Sequence, residues 1–154
     1  MRNVIRQIIE IYPEDNLIVT MESGNTLSGR PGFLLPAPNT NPNAGIFVLV
    51  NNQGVETGAI SICKIAAIRV TSADYNDTIT YLPTPSELPE GCAADCEAAI
   101  RAYLPVDKEI SIRAGDQTVA NGTVRKSEYG MVVVVGNNDA NPTFISSCKI
   151  ELML

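Results

Sequence analysis

The stretch Gly45–Asn52, which reads GIFVLVNN, decides the fold of this chain because it occurs a second time. The second copy, Gly130–Asn137, reads GMVVVVGN and lies 85 residues further on. The same register continues without a gap from Ala59–Ile65 (AISICKI) to Phe144–Ile150 (FISSCKI). Nine of the 21 positions in this block are identical, so the chain contains an internal repeat.

The repeat extends upstream into a hairpin pattern. Leu17–Gly29 (LIVTMESGNTLSG) and Glu109–Gly122 (EISIRAGDQTVANG) each read as a strand, a turn and a second strand. Gly beside Asn or Asp favours a tight turn, because these residues accept a positive φ at little cost. We therefore place a first repeat at 1–72, a proline-containing linker at 73–89, and a helix followed by a second repeat at 90–154.

Apolar patterning within each repeat predicts strands. The predicted segments are 16–23, 26–35, 45–51, 59–70, 109–114, 118–126, 131–135 and 143–154, with a short strand also considered at Thr78–Leu82. The fold class is thus mainly β.

A helix is predicted before each repeat from apolar residues at helical spacing. The helix before the second repeat covers Pro89–Leu104, and the face that it presents consists of Cys92, Cys96, Ala99, Ile100 and Tyr103. The face before the first repeat consists of Val4, Ile5, Ile8, Ile9 and Tyr12, residues that also fit a strand.

The composition removes many enzyme classes. The chain has no His, which excludes imidazole ligation of metals and every catalytic triad that contains His. No segment matches a phosphate-binding glycine loop. A Cys nucleophile would lack a His partner, so we expect no enzyme, no catalytic residue, no metal and no cofactor.

Charge and hydropathy limit the classes of partner and the locations that we expect for this protein. The net charge of −6 disfavours RNA, since a phosphate backbone is repelled by an acidic surface. There is no apolar run long enough for a membrane span, and no signal-peptide pattern. We expect no membrane partner and a cytoplasmic location, with incorporation into a cell-surface or spore-surface assembly as one destination.

The hairpin Val19–Gly29 (VTMESGNTLSG), together with Phe47–Val50 (FVLV) and Ile62–Ile68 (ICKIAAI), resembles the Sm/LSm family, including its Hfq branch. The resemblance implies two tandem Sm-like (SH3-like) small barrels, each preceded by a short helix. It also implies open strand edges that join subunits into rings. The chain lacks the Asp…Asn pair and the Arg-Gly or Lys-His element of the RNA-binding members, so an RNA pocket does not carry over.

Four cysteines and two lysines are the candidate site residues. Cys63 and Cys148 occupy equivalent positions, each followed by a lysine, Lys64 or Lys149. We interpret these thiols first as small buried hydrophobes, and alternatively as activated thiols or cross-links between subunits. Cys92 and Cys96 are interpreted first as reduced thiols packed in the core, and alternatively as cross-links to another subunit. The lysines would line a ring pore and meet an anion, or would protect strand edges from unwanted pairing.

These observations favour a non-enzymatic structural protein that assembles into homo-oligomers through open β-edges. A shell, a filament and a spore-surface layer are the assemblies considered, with a three-chain ring of six repeats as one specific form. The alternative is an Sm/Hfq-like ring that binds RNA or a small regulatory ligand.

Overall fold

A computed structural model of the protein describes residues 1–36 and 45–154, and of Cys92 and Ala93 it describes the backbone alone. Helix α1 (Arg2–Ile11) precedes the first five strands, and helix α2 (Cys92–Tyr103) precedes the second five. The strands are β1 (Leu17–Met21), β2 (Thr26–Leu35), β3 (Ile46–Val50), β4 (Glu56–Ser61), β5 (Ile65–Val70), β6 (Glu109–Ala114), β7 (Gln117–Glu128), β8 (Met131–Val135), β9 (Thr143–Ser146) and β10 (Leu152–Met153).

The ten strands of the described residues form one open sheet, in the order β10-β6-β7-β8-β9-β5-β1-β2-β3-β4. All neighbouring strands run antiparallel. The prediction of a mainly β chain is therefore confirmed. Each repeat contributes five consecutive positions in this order, and β5 and β9 join the two halves.

The pairing register of β3 with β4 recurs in β8 with β9. Phe47 faces Ile60, and Val132 faces Ile145, each 85 residues later. A 3-10 turn follows each hairpin, Ile62–Lys64 after the first and Ser147–Lys149 after the second. The two halves of the sheet thus repeat each other residue by residue in this block.

A strand glycine marks the same position in both halves. Gly29 faces Leu17 in the first half, and Gly122 faces Ile110 in the second, both 93 residues later. A Cβ on Gly29 would lie 3.0 Å from the carbonyl oxygen of Val50, and a Cβ on Gly122 would overlap the corresponding carbonyl of β8. Glycine therefore allows β2 and β7 to approach the strands that follow them.

Two core clusters fill the protein, and each contains residues of both repeats. The larger cluster packs Ile5, Leu17 and Ile68 of the first repeat with Val133 and Phe144 of the second. The smaller one packs Ala66 and Ala67 of the first repeat with residues of the second. The hydrophobic core consequently crosses the junction of β5 and β9.

Helix α2 buries a carboxylate, and of its predicted apolar face Ile100 packs against the smaller core cluster. Glu97 is buried and accepts hydrogen bonds from the Gly130 N–H (2.9 Å), the Arg101 Nε (2.7 Å) and the Ser147 hydroxyl (3.1 Å). Burial by itself would raise the pKa of Glu97, but these donors outweigh it and lower the pKa. Cys96 and Tyr103, both predicted to lie on the buried face, are exposed.

Several predicted elements differ from those in the structure. The segments 59–70 and 143–154, predicted as continuous strands, are each interrupted by a 3-10 turn, because the chain bends where it leaves one strand partner for another. Helix α2 begins at Cys92 rather than Pro89. Thr78–Leu82 contains no strand. The Thr78 N–H instead donates a hydrogen bond of 2.9 Å to the Asn76 side-chain Oδ1, which holds this segment in a turn.

Phe144→Ala tests whether the core runs through the junction. We expect a loss of roughly 3–5 kcal/mol in the free energy of unfolding, because Phe144 is fully buried and its removal leaves a cavity. Phe33→Ala is the control, since Phe33 is 41% exposed, and it should cost less than about 1 kcal/mol. Urea unfolding followed by circular dichroism measures both, and equal losses would contradict the assigned core.

Candidate assembly interface

The junction between the halves, called the joint here, is the antiparallel pairing of β5 with β9. Ala67 faces Ile145, Ile68 faces Phe144, and Arg69 faces Thr143. The Val70 N–H extends the pairing by donating to the Pro142 carbonyl at 2.9 Å.

Side chains from the first repeat and the linker reinforce the joint. Arg69 donates to the Val119 carbonyl oxygen at 2.7 Å, which ties β5 to β7, three positions away from it in the sheet. Tyr75 packs against Phe144 with the ring centroids 6.3 Å apart. Asp77 forms an ion pair with Arg125 at 3.0 Å. The joint therefore combines backbone pairing, buried apolar packing and polar contacts.

Both strands of the joint have counterparts at the two ends of the sheet. The repeat places β4 at the position of β9 and β10 at the position of β5, and these are the two edge strands of the described chain. Thr143 and Phe144 are buried, whereas their counterparts Gly58 and Ala59 are half-buried and exposed. The residues of β10 are likewise more exposed than the corresponding residues of β5.

The C-terminal edge illustrates that loss. Ala67 and Ile68 are buried in the joint, while the corresponding Leu152 is 42% exposed and Met153 is half-buried. At the position that corresponds to Ala67, the second repeat therefore carries a larger apolar side chain, Leu152, which the described chain leaves exposed. Exposed apolar strands of this kind are typical of surfaces that pair with another chain.

The backbone groups at the two edges point away from the sheet. Ile62 donates to the Gly45 carbonyl on the β3 side, so the alternation along β4 turns the N–H and C=O of Ala59 outward. Leu154 and Ser111 exchange two hydrogen bonds of 2.9 Å, so Met153 faces outward from β10. Ala59 and Met153 are the counterparts of Phe144 and Ile68, which face each other in the joint.

The structure corrects the burial predicted for Cys63 and Cys148. Both lie on 3-10 turns rather than on strands, and both are exposed free thiols. They line one cavity of about 200 Å³ beside the joint, together with Met1 and Lys149. The repeat therefore brings the two thiols to the same surface, although the tight turn keeps them out of the core.

The other two cysteines lie on α2. Cys96 is an exposed free thiol. Cys92 is the first residue of the helix, and its side chain lies outside the described part of the structure.

Lys64 and Lys149 are brought together by a residue that the sequence did not single out. The carboxylate of Glu22 forms ion pairs with both lysines, one from each repeat. Lys149 and then Lys64, through hydrogen bonds, lower the pKa of Glu22 to about 2. Gly115 stands at the corresponding place of the second repeat, so repetition could not have revealed this contact.

No side-chain cluster for metal binding is found within residues 1–36 and 45–154. This part of the chain holds no group of three or more Cys, Asp or Glu side chains placed to bind a metal ion. Its helices are too short and too polar to cross a membrane. No protein-family model, curated protein or solved structure matches the chain.

Glu22→Gln tests the ion pairs across the joint. The pKa of Glu22 is lowered by folding, so its contribution to stability is present above about pH 4.5 and is lost as the pH falls toward about 2. We expect the variant to melt below the parent at pH 7 and the difference to vanish near pH 2. Thermal melts across this range, with Glu10→Gln as an exposed control, measure it. A difference independent of pH would contradict the assignment.

Proposed function

We propose that this protein is a non-enzymatic structural component that assembles with copies of itself through its open β-edges. The observation that carries the proposal is the joint. The pairing of β5 with β9 is already formed inside the chain, and their counterparts β10 and β4 stand at the ends of the sheet. A second copy offers to each edge the partner that the joint supplies internally.

The internal pairing predicts the register between copies. Since Ile68 faces Phe144 in the joint, Met153 of one copy would face Ala59 of the next, with Leu152 opposite Ile60. Both Met153 and Ala59 direct their N–H and C=O outward, so the pair would exchange two hydrogen bonds. Each such bond contributes about 0.5–1.5 kcal/mol net, to which burial of Leu152 and Met153 adds.

The shape of the assembly follows from the angle between successive repeats. We propose that each repeat is a small Sm-like barrel with its preceding helix, a division supported by the repeated strand order and by the strand glycines Gly29 and Gly122. If every joint repeats the internal angle and that angle brings the sixth repeat back to the first, three chains close into a ring of six repeats. An angle that does not close gives a filament or layer of the shell or spore-surface type.

A ring that binds RNA or a small regulatory ligand is the weaker proposal. Lys64 and Lys149, the candidates for meeting an anion, share the carboxylate of Glu22, which offsets their charge. The net charge of −6 acts in the same direction. Salt-dependent binding of an RNA oligonucleotide by a discrete ring would favour this alternative over a purely structural role.

Ala59→Pro tests the edge pairing. Proline removes the outward N–H of Ala59, and its ring obstructs an approaching strand, while an edge strand tolerates it. We expect the wild-type protein to form oligomers at micromolar concentration and the variant to dissociate at least ten-fold more readily. Size-exclusion chromatography with light scattering measures the mass of each relative to the 16.5 kDa chain.

Ala59→Thr is the matched control, because threonine enlarges the side chain but keeps the N–H. It should assemble as the wild type does, and both variants should keep the wild-type circular dichroism spectrum. A wild-type monomer at micromolar concentration would overturn the proposal. Electron micrographs of the leading fraction, with and without reductant, then distinguish a closed ring from fibres or layers and show whether thiol cross-links hold them.

A further inference from the structure

The C-terminal ends of the two helices correspond to each other. The Tyr12 N–H, just after α1, donates to the Ile8 carbonyl at 2.9 Å, and the Leu104 N–H, just after α2, donates to the Ile100 carbonyl at 3.1 Å. These residues are 92 positions apart in each case. Tyr12 and Leu104 are both buried, which supports the same alignment of the helices.

One pair of equivalent helix positions differs sharply in burial. Val4 of α1 is 3% exposed, whereas its counterpart on α2, 92 residues later, is the exposed Cys96. Val4 shares a cavity of about 360 Å³ with Met131 of the second repeat, and Tyr81 closes another side. The second repeat therefore helps to cover α1 across the joint.

Met131, which lines the same cavity as Val4, shows the same difference. Met131, the first residue of β8, is 3% exposed, and its counterpart Ile46, the first residue of β3, is 41% exposed. Val4 and Met131 belong to one core cluster. Both members of this buried pair thus have an exposed counterpart, Cys96 in the second repeat and Ile46 in the first.

We infer that α2 forms a second part of the interface between copies, with Cys96 of one chain packed against Ile46 of the next. The inference rests on the proposed assembly and names its helical contact. This contact agrees with the proposed edge pairing. In the joint, α1 and β5 both come from the first repeat, and their counterparts α2 and β10 both come from the second, so one copy would supply α2 and β10 together. The occupant of the exposed Ile46 surface is therefore a second copy of this chain.

Chemical cross-linking tests this contact in the full-length chain. The variant carries Ile46→Cys with Cys63→Ser, Cys92→Ser and Cys148→Ser, so that the two thiols are residue 46 and the native Cys96. A short bismaleimide joins them by adding one thiol to each maleimide ring. We expect covalent dimers and higher multiples on a denaturing gel, formed at least ten-fold faster than in the matched control.

The matched control carries Val55→Cys in place of Ile46→Cys. Val55 is 60% exposed and lies at the opposite end of the β3–β4 hairpin. Adding Cys96→Ser to the Ile46→Cys variant should abolish its fast cross-linking. Light scattering on the same samples shows whether each variant assembles, which distinguishes a wrong helical contact from a failure of the proposed assembly.

If the variants assemble but both cross-link at the same slow rate, the helical contact is wrong while assembly through the β-edges stands. If the variants and the wild type stay monomeric, the proposed assembly and the helical contact both fall. Circular dichroism of each variant identifies a folding defect, and in that case the rate at which a maleimide labels Cys96 in the wild type decides. Cys96 should react at least ten-fold more slowly in the oligomer than in dilute monomer, and equal rates would overturn the inference.

Discussion

The antiparallel pairing of β5 with β9 joins two repeats that would otherwise be separate small units. Through it the hydrophobic core becomes continuous, since Phe144 of the second repeat packs among residues of the first, and Ala66 and Ala67 pack among residues of the second. A unit of about 65 residues buries a limited fraction of its apolar surface alone, so this shared core supplies stability that neither repeat has by itself. The polar contacts of Arg69 and Asp77 then fix the pairing in one register.

The same pairing leaves a consequence at both ends of the sheet. A repeat that pairs with its neighbour through one edge strand carries an edge strand of the other kind on its opposite side. In a chain of two repeats, one edge strand of each repeat is paired in the joint and the other is not. The edges β4 and β10 remain open in the described chain, with the backbone groups of Ala59 and Met153 turned outward. Comparison of burial between equivalent residues extends this argument to the helices, where Val4 is covered and Cys96 is exposed. The proposed assembly would thus follow from the repeated geometry and would require no separate binding motif.

Much of the fold follows from the sequence because identical residues at one offset must occupy identical places. The block from Gly45 to Ile65 therefore predicted that the same strands occur in both halves, and the apolar patterning predicted the mainly β fold. The breaks in the strands were not predictable, since Ile62 and Ile65 continue an apolar pattern through a 3-10 turn. Nor was the burial of Glu97, which depends on donors from two distant elements. The pairing of Glu22 with Lys149 joins residues 127 positions apart and has no counterpart in the other repeat.

Amide hydrogen exchange at Ala59 and Met153 tests the central claim most directly, because these N–H groups form hydrogen bonds only if the edges pair between copies. The measurement compares single amides by NMR or by fragment mass spectrometry at concentrations above and below that at which oligomers form. The account predicts that both amides are protected in the oligomer and exchange freely in the dilute monomer, while the amide of Phe144 is protected in both. An oligomer in which Ala59 and Met153 exchange as fast as in the monomer would contradict it.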